Sequence, residues 1–176
     1  MRHNVLLRDM NVSVGASDRR QIEVLADGLP CRRGHQLAVD VTLRSALSCE
    51  GAPRPRAHAV NGAVADAARA DKERKYPEFA DGRCALVVVA IETGGRWSTE
   101  AIEFVDQLAE AKGREAPPAL RRSSWRAHRR RWQHMLSISA GKAFVGSLRN
   151  DGDGVAGCEG PSPELGMLLD RSSVGA

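Results

Sequence analysis

Aromatic side chains are scarce in this chain: three tryptophans, three phenylalanines and one tyrosine stand among 176 residues. A core of ordinary size must therefore be built mostly from Ala, Val, Leu and Ile. Cysteine is equally sparse. Cys31, Cys49, Cys84 and Cys158 are far apart and no Cys-x-x-Cys occurs, which argues against a disulfide framework and fits a reduced, intracellular chain. A zinc site from Cys31, His35, Cys49 and His58 is conceivable, but the spacing matches no standard finger. No apolar run approaches the length of a membrane helix. Residues 1–20 lack an apolar block with a cleavage-like site, so no secretory signal is expected. The remaining composition, 42% hydrophobic and 27% charged, is that of a soluble globular protein with one real core and hardly room for two.

The net charge of +4 permits a polyanionic partner without demanding one. Its distribution says more. Arg114, Arg121, Arg122, Arg126, Arg129, Arg130 and Arg131 crowd one stretch, with Lys112 and His128 beside them and few acidic residues.

The pattern along the chain divides it into a weakly ordered segment 1–19, an α/β core 20–112, a basic helical segment 113–149 and a disordered tail 150–176 rich in Gly, Asp, Ser and Pro. Within the core, Ile22 to Ala26 reads as a short strand ended by Asp27-Gly28. Leu37, Val39, Val41 and Leu43 alternate with Ala38, Asp40 and Thr42, the period of a strand. Pro53, Pro55 and Gly51 mark a loop, and Ala63 to Tyr76 reads as a helix. Ala85 to Ile91 is uniformly apolar, as in a strand covered on both faces. Gly94-Gly95 ends it. Ser98 or Thr99 then caps a helix whose apolar stripe is Ala101, Ile102, Val105 and Leu108. Gly113 is expected to end that helix. Pro117-Pro118 opens a last one, from Ala119 to about Leu148, with a break expected near Gly141. Strands joined by helical crossovers predict a small mixed sheet flanked by helices, followed by a long C-terminal helical segment.

Asp40 stands inside an apolar strand, where a carboxylate is costly unless it finds partners or a cation. Glu23 interrupts the preceding strand in the same way. If the two strands pair, Glu23 or Asp27 could join Asp40 in an oxygen-donor site suited to Mg²⁺, which keeps several waters and can activate one against a phosphodiester. The plainer alternative is that both acids face solvent. Lys72, Lys75, Arg69 and Arg74 on the following helix could orient a water or contact phosphate, or form a solvated face. Glu92, at the end of the central strand, is a weaker candidate. Trp125 and Trp132 share one helix face with Leu136 and Ala143 and suit core packing. Arg121, Arg122, Arg126, Arg129, Arg130 and Arg131 remain available to phosphate.

Taken in order, the segments Arg20 to Pro30, Gln36 to Leu43, Lys72 to Phe79 and Val89 to Ser98 resemble the C-terminal restriction-like endonuclease region of non-LTR retrotransposon reverse transcriptase polyproteins, within the PD-(D/E)XK nuclease class. The similarity covers residues 20–110, with looser likeness to about residue 148. It implies a restriction-endonuclease-like sheet flanked by helices, Mg²⁺-dependent nicking of DNA, service to element insertion in the nucleus and a reverse transcriptase as partner. Carried across, Asp40 takes the second acidic position. Glu23, with Asp27 behind it, takes the first. The family lysine two residues after Asp40 is replaced by Thr42, whose hydroxyl cannot supply the positive charge that steadies hydroxide and phosphate. Lys75 is the candidate substitute. Polymerase motifs are absent, which implies a fragment, a separately encoded piece or a decaying copy. Three functions follow as alternatives: an active DNA endonuclease, a catalytically inactive nucleic-acid-binding remnant, or a generic α/β interaction domain.

Overall fold

The computed structural model describes residues 1–29, 34–48 and 50–150, the last three of these as backbone only. Cys31, Cys49 and the segment 151–176 lie outside the described residues, and with them the zinc alternative and the expectation of a disordered tail.

Four strands form one open mixed sheet in the order β1-β2-β3-β4. They are β1 (Arg2–Leu6), β2 (Gln21–Ala26), β3 (Gln36–Arg44) and β4 (Cys84–Glu92). Neighbours β1, β2 and β3 run antiparallel, whereas β3 and β4 are parallel and aligned over their full length, from Gln36↔Cys84 to Arg44↔Glu92. The parallel pair needs a crossover, supplied by α1 (Ala63–Lys75). Helix α2 (Thr99–Arg114) and the long α3 (Arg121–Asn150) complete the described chain.

Strand β1 replaces the expected weakly ordered N-terminus. Its first three residues are exposed, as befits an edge, so alternation is faint there. Val5, Leu7 and Met10 nevertheless enter the core beside Ile22 and Leu25. Two apolar clusters lie on opposite sides of the sheet. Ala38, Leu86, Val88 and Ala90 meet Ala65 and Ala68 of α1 together with Tyr76 and Phe79. Leu37, Val39, Val87, Val89 and Ile91 meet Ala101 and Phe104 of α2, with Ala140 of α3 packed alongside. Small residues on α1 allow its backbone to approach the sheet closely, which brings the helix's longer side chains over β3.

Ser98 caps α2 as expected: its Oγ accepts the Ala101 N–H at 3.1 Å. The helix ends at Arg114, one residue past Gly113, though Gly113 does not take the left-handed conformation of a glycine terminator. It is buried at the crossing with α3, where an added Cβ would lie 3.1 Å from Trp125 Cβ and from the Arg121 carbonyl. Nor does α3 break at Gly141. No helix among the described residues is long and apolar enough to cross a membrane.

Candidate active site

Position on β3 decides what Asp40 can do. Asp40, Thr42 and Arg44 share the face that α1 covers, and each lies level with a β4 residue of the same face: Val88, Ala90 and Glu92. Asp40 and Thr42 are buried, at 3% and 4% exposure. Over this face α1 continues a stripe of positions four apart, Val64, Ala68 and Lys72, and Tyr76 follows one turn on. Lys72 thus occupies an inward position, and its Nζ lies 2.5 Å from Asp40 Oδ2. That oxygen is enclosed and, among the described residues, has no partner in hydrogen-bond geometry. The contact is therefore a close ionic approach rather than an aligned hydrogen bond.

Glu23 comes from β2. The β2–β3 ladder runs from Ala26↔Leu37 to Val24↔Val39 and stops there. Beyond it the Glu23 side chain takes over, and Oε2 accepts the Val41 N–H at 3.1 Å. This carboxylate thus reaches the amide next to Asp40. Burial, and then the negative charge of Asp40, push its pKa up to about 7, against the pull of the Val41 amide, Lys72 and Lys75. Two carboxylates and one ammonium converge under the C-terminal half of α1.

The other sequence candidates fall elsewhere. Asp27 follows the last residue of β2, four positions from Glu23 and about 13 Å along the chain direction. It accepts from Gln36 Nε2 at 2.6 Å and pairs with Arg2 at 3.8 Å. Lys75 is exposed, with Nζ 4.9 Å from the centre of the Tyr76 ring. It feels Glu23 electrostatically, while the contact with Asp40 belongs to Lys72. Glu92 stands four residues beyond the level of Asp40 on β4, too far to share an ion with it, and pairs loosely with Arg96 at 3.9 Å. Arg69 spans from α1 to the Leu86 carbonyl and to Glu100. Arg44 and Arg74 both bond Asp71. Arg69 thus ties α1 to β4 and α2, and Arg44 ties β3 to α1 through Asp71, whereas Arg74 pairs within its own helix.

Two residues outside the sequence candidates frame the site. Tyr76, 1% exposed, donates its hydroxyl to the Gln21 carbonyl at 2.9 Å. Burial and the nearby Asp40 hold its pKa up at about 12, so it stays a neutral donor that anchors β2. Arg20 bonds Asp18, Glu78 and the Lys75 carbonyl, closing the end of α1 onto the start of β2. Tyr76 carried a sequence signal as the one tyrosine of the chain, at the end of the expected helix, whereas Arg20, among Asp18, Arg19 and Gln21, carried none.

On α3 the six arginines do not form one surface. Arg129 bonds Asp106 of α2 and lies over Trp125, so it serves the helix packing. Trp125 and Trp132 are half-buried on the same side. Arg121 reaches the Ala116 carbonyl. Arg122, Arg126, Arg130 and Arg131 are exposed. Helix α3 packs against α2, which covers the sheet face opposite Asp40.

A hydrated divalent cation such as Mg²⁺ takes one or two carboxylates and keeps its waters. Glu23 and Asp40 fit that requirement, and the enclosed Asp40 Oδ2 is an acceptor in want of an aligned donor. A third acidic or imidazole ligand is not needed, and none of the described residues forms a group of three. Compared with known protein families, curated proteins and solved structures, the chain matches none.

Proposed function

We propose that this chain is a divalent-metal-dependent phosphodiester hydrolase acting on DNA, of the restriction-like type that its sequence resembles in non-LTR retrotransposon polyproteins. The observation that carries the reading is the meeting of Glu23 on β2 and Asp40 on β3 with Lys72 of the helix that covers them. The mixed sheet between helices agrees with the resemblance. Lys72 answers the loss of charge at Thr42, because an ammonium delivered from α1 reaches the same carboxylate that a strand lysine would flank.

Burying an ion pair is a poor way to stabilise a fold, since desolvation offsets most of the attraction. Its place under α1 beside Glu23 is better understood as chemistry. Bound Mg²⁺ would supply Lewis acidity and a water of lowered pKa. Asp40 and Glu23 would hold it. Glu23, fixed by the Val41 amide, would help orient the attacking water beside the metal. Lys72, released from Asp40, would steady negative charge on the phosphate. A reverse transcriptase acting with the domain, and service to element insertion, remain part of this proposal through the resemblance.

The test is nicking of supercoiled plasmid with Mg²⁺ or Mn²⁺, with Asp40→Asn alongside. Activity in the wild type that disappears in the variant supports the reading. Activity that survives the substitution rejects the site, and no activity in a folded wild type rejects the hydrolase.

A further inference from the structure

Beside the β4 edge lies a cavity of about 740 Å³ whose walls come from the first turns of α1, the β4–α2 connection and the middle of α3. Arg96 and Trp97 line it on one side, Gln133 and Ser137 on the other. Asp66 stands on the α1 wall. Arg96 is half-exposed and Trp97 half-buried, its backbone bridged to Ile91.

Helix geometry connects this cavity to the arginines of α3. At 100° per residue, Arg126, Arg130, Gln133 and Ser137 fall within an arc of about 60°. The flank that lines the cavity therefore continues outward as two exposed arginines, one and two turns away. From 121 to 147 the helix carries six arginines, one lysine and no carboxylate. Arg96 and the Trp97 ring in the lining, with Arg126 and Arg130 beyond it on the same flank of α3, suit a chain of phosphates and bases that keeps clear of Asp66. The size selects the form of the chain. The cavity is in the range of small-ligand pockets, which admits unstacked nucleotides and keeps out a duplex.

We infer that this cleft binds a single-stranded nucleic-acid segment, with phosphates along Arg126, Arg130 and Arg96 and a base against Trp97. This rests on the nucleic-acid part of the function proposed above, and not on catalysis. Gly62 and Asp66 line the cleft, and Lys72 lies ten residues from Gly62, about 15 Å along α1.

The experiment uses the full chain carrying Asp40→Asn, a fluorescently labelled fifteen-residue oligothymidylate and a duplex of equal length, with anisotropy read across a salt series. The expected result is preferential binding of the single strand. Arg126→Ala/Arg130→Ala should weaken it at least tenfold and reduce the slope of log affinity against log salt by about 1.4. Arg131→Ala/Lys142→Ala, on the far side of α3, should leave it within twofold. Trp97→Phe, which keeps an aromatic ring in the packing, should lower affinity about threefold and reduce quenching of the protein's fluorescence. Equal losses in the two double variants would overturn the inference, as would a preference for duplex. So would full competition by thymidine monophosphate at equal phosphate concentration, which would make the cleft a mononucleotide pocket. If the wild type binds the strand but cuts no plasmid, the hydrolase reading fails and the cleft stands. If it cuts while the cleft variants bind normally, the cleft fails alone.

Discussion

Lys72 Nζ rests 2.5 Å from Asp40 Oδ2, joining α1 to the middle of β3 where both side chains are almost sealed from water. The strand position that Thr42 fills therefore does not leave the carboxylate without a cation. Charge is provided across space by Lys72, thirty positions after Thr42 and on another element.

That relationship separates two lysines. Lys72→Met should lower plasmid nicking by about 10²-fold or more, the usual loss when a group stabilising transition-state charge is removed. Lys75→Met should lower it less than about fivefold, because Lys75 touches Asp40 in no direct way. Initial nicking rates on one plasmid preparation check the contrast. An equal loss in both variants would move the role to the end of the helix.

Stability should show the pair from the other side. Lys72→Met alone leaves Asp40 buried and uncompensated, and is expected to cost about 3–5 kcal/mol. Asp40→Leu/Lys72→Met should recover most of that loss, since a well-packed apolar pair of similar size often matches or exceeds a buried ion pair. Urea unfolding of the wild type, the two single variants Asp40→Leu and Lys72→Met, and the double variant gives the coupling. A double variant no more stable than Lys72→Met would show that the pair is needed for folding itself.

Glu23 predicts a pH dependence with a definite sign. Its folded pKa of about 7 lies above the ordinary 4.5, so the folded state holds a proton that the unfolded chain has lost. The contribution is fully present below about pH 4.5 and declines as pH rises to about 7, by on the order of 3 kcal/mol. In EDTA, Glu23→Gln should flatten this decline relative to wild type. Stability measured at intervals between pH 4.5 and 8 is the check, and parallel curves for the two proteins would place the carboxyl in water.

Gly113 marks where α2 and α3 touch. Gly113→Val puts three atoms where one already comes within 3.1 Å of Trp125 Cβ and the Arg121 carbonyl. The overpacking should cost about 1–3 kcal/mol and shift tryptophan emission to the red as Trp125 is exposed. Unchanged emission and stability would mean that α3 rests on α2 loosely.

Much of the sheet was legible along the chain. The alternation around Asp40 and the unbroken apolar run of β4 are local patterns, imposed by which faces meet the core, and β2, β3 and β4 lie within a residue or two of where those patterns put them. The Gly94-Gly95 turn and the Ser98 cap are local backbone chemistry and were equally readable. Strand β1 was not, because an edge strand with exposed Arg2, His3 and Asn4 has no alternation to show. Gly113 looked like a helix terminator because sequence does not reveal a neighbouring helix. The acids at 23 and 40 were conspicuous as charges in apolar strands. Their company was not. Lys72 and Lys75 are three residues apart and about 60° apart around α1, so sequence nominates both, and only the depth at which α1 sits on Ala65 and Ala68 selects Lys72. Residue types and periods determine which segments are strands and helices and which of their positions are anomalous. Distances between anomalies far apart in the chain are set by packing, and these distances, short for Glu23, Asp40 and Lys72 and long for Asp27, are what the tertiary structure decided.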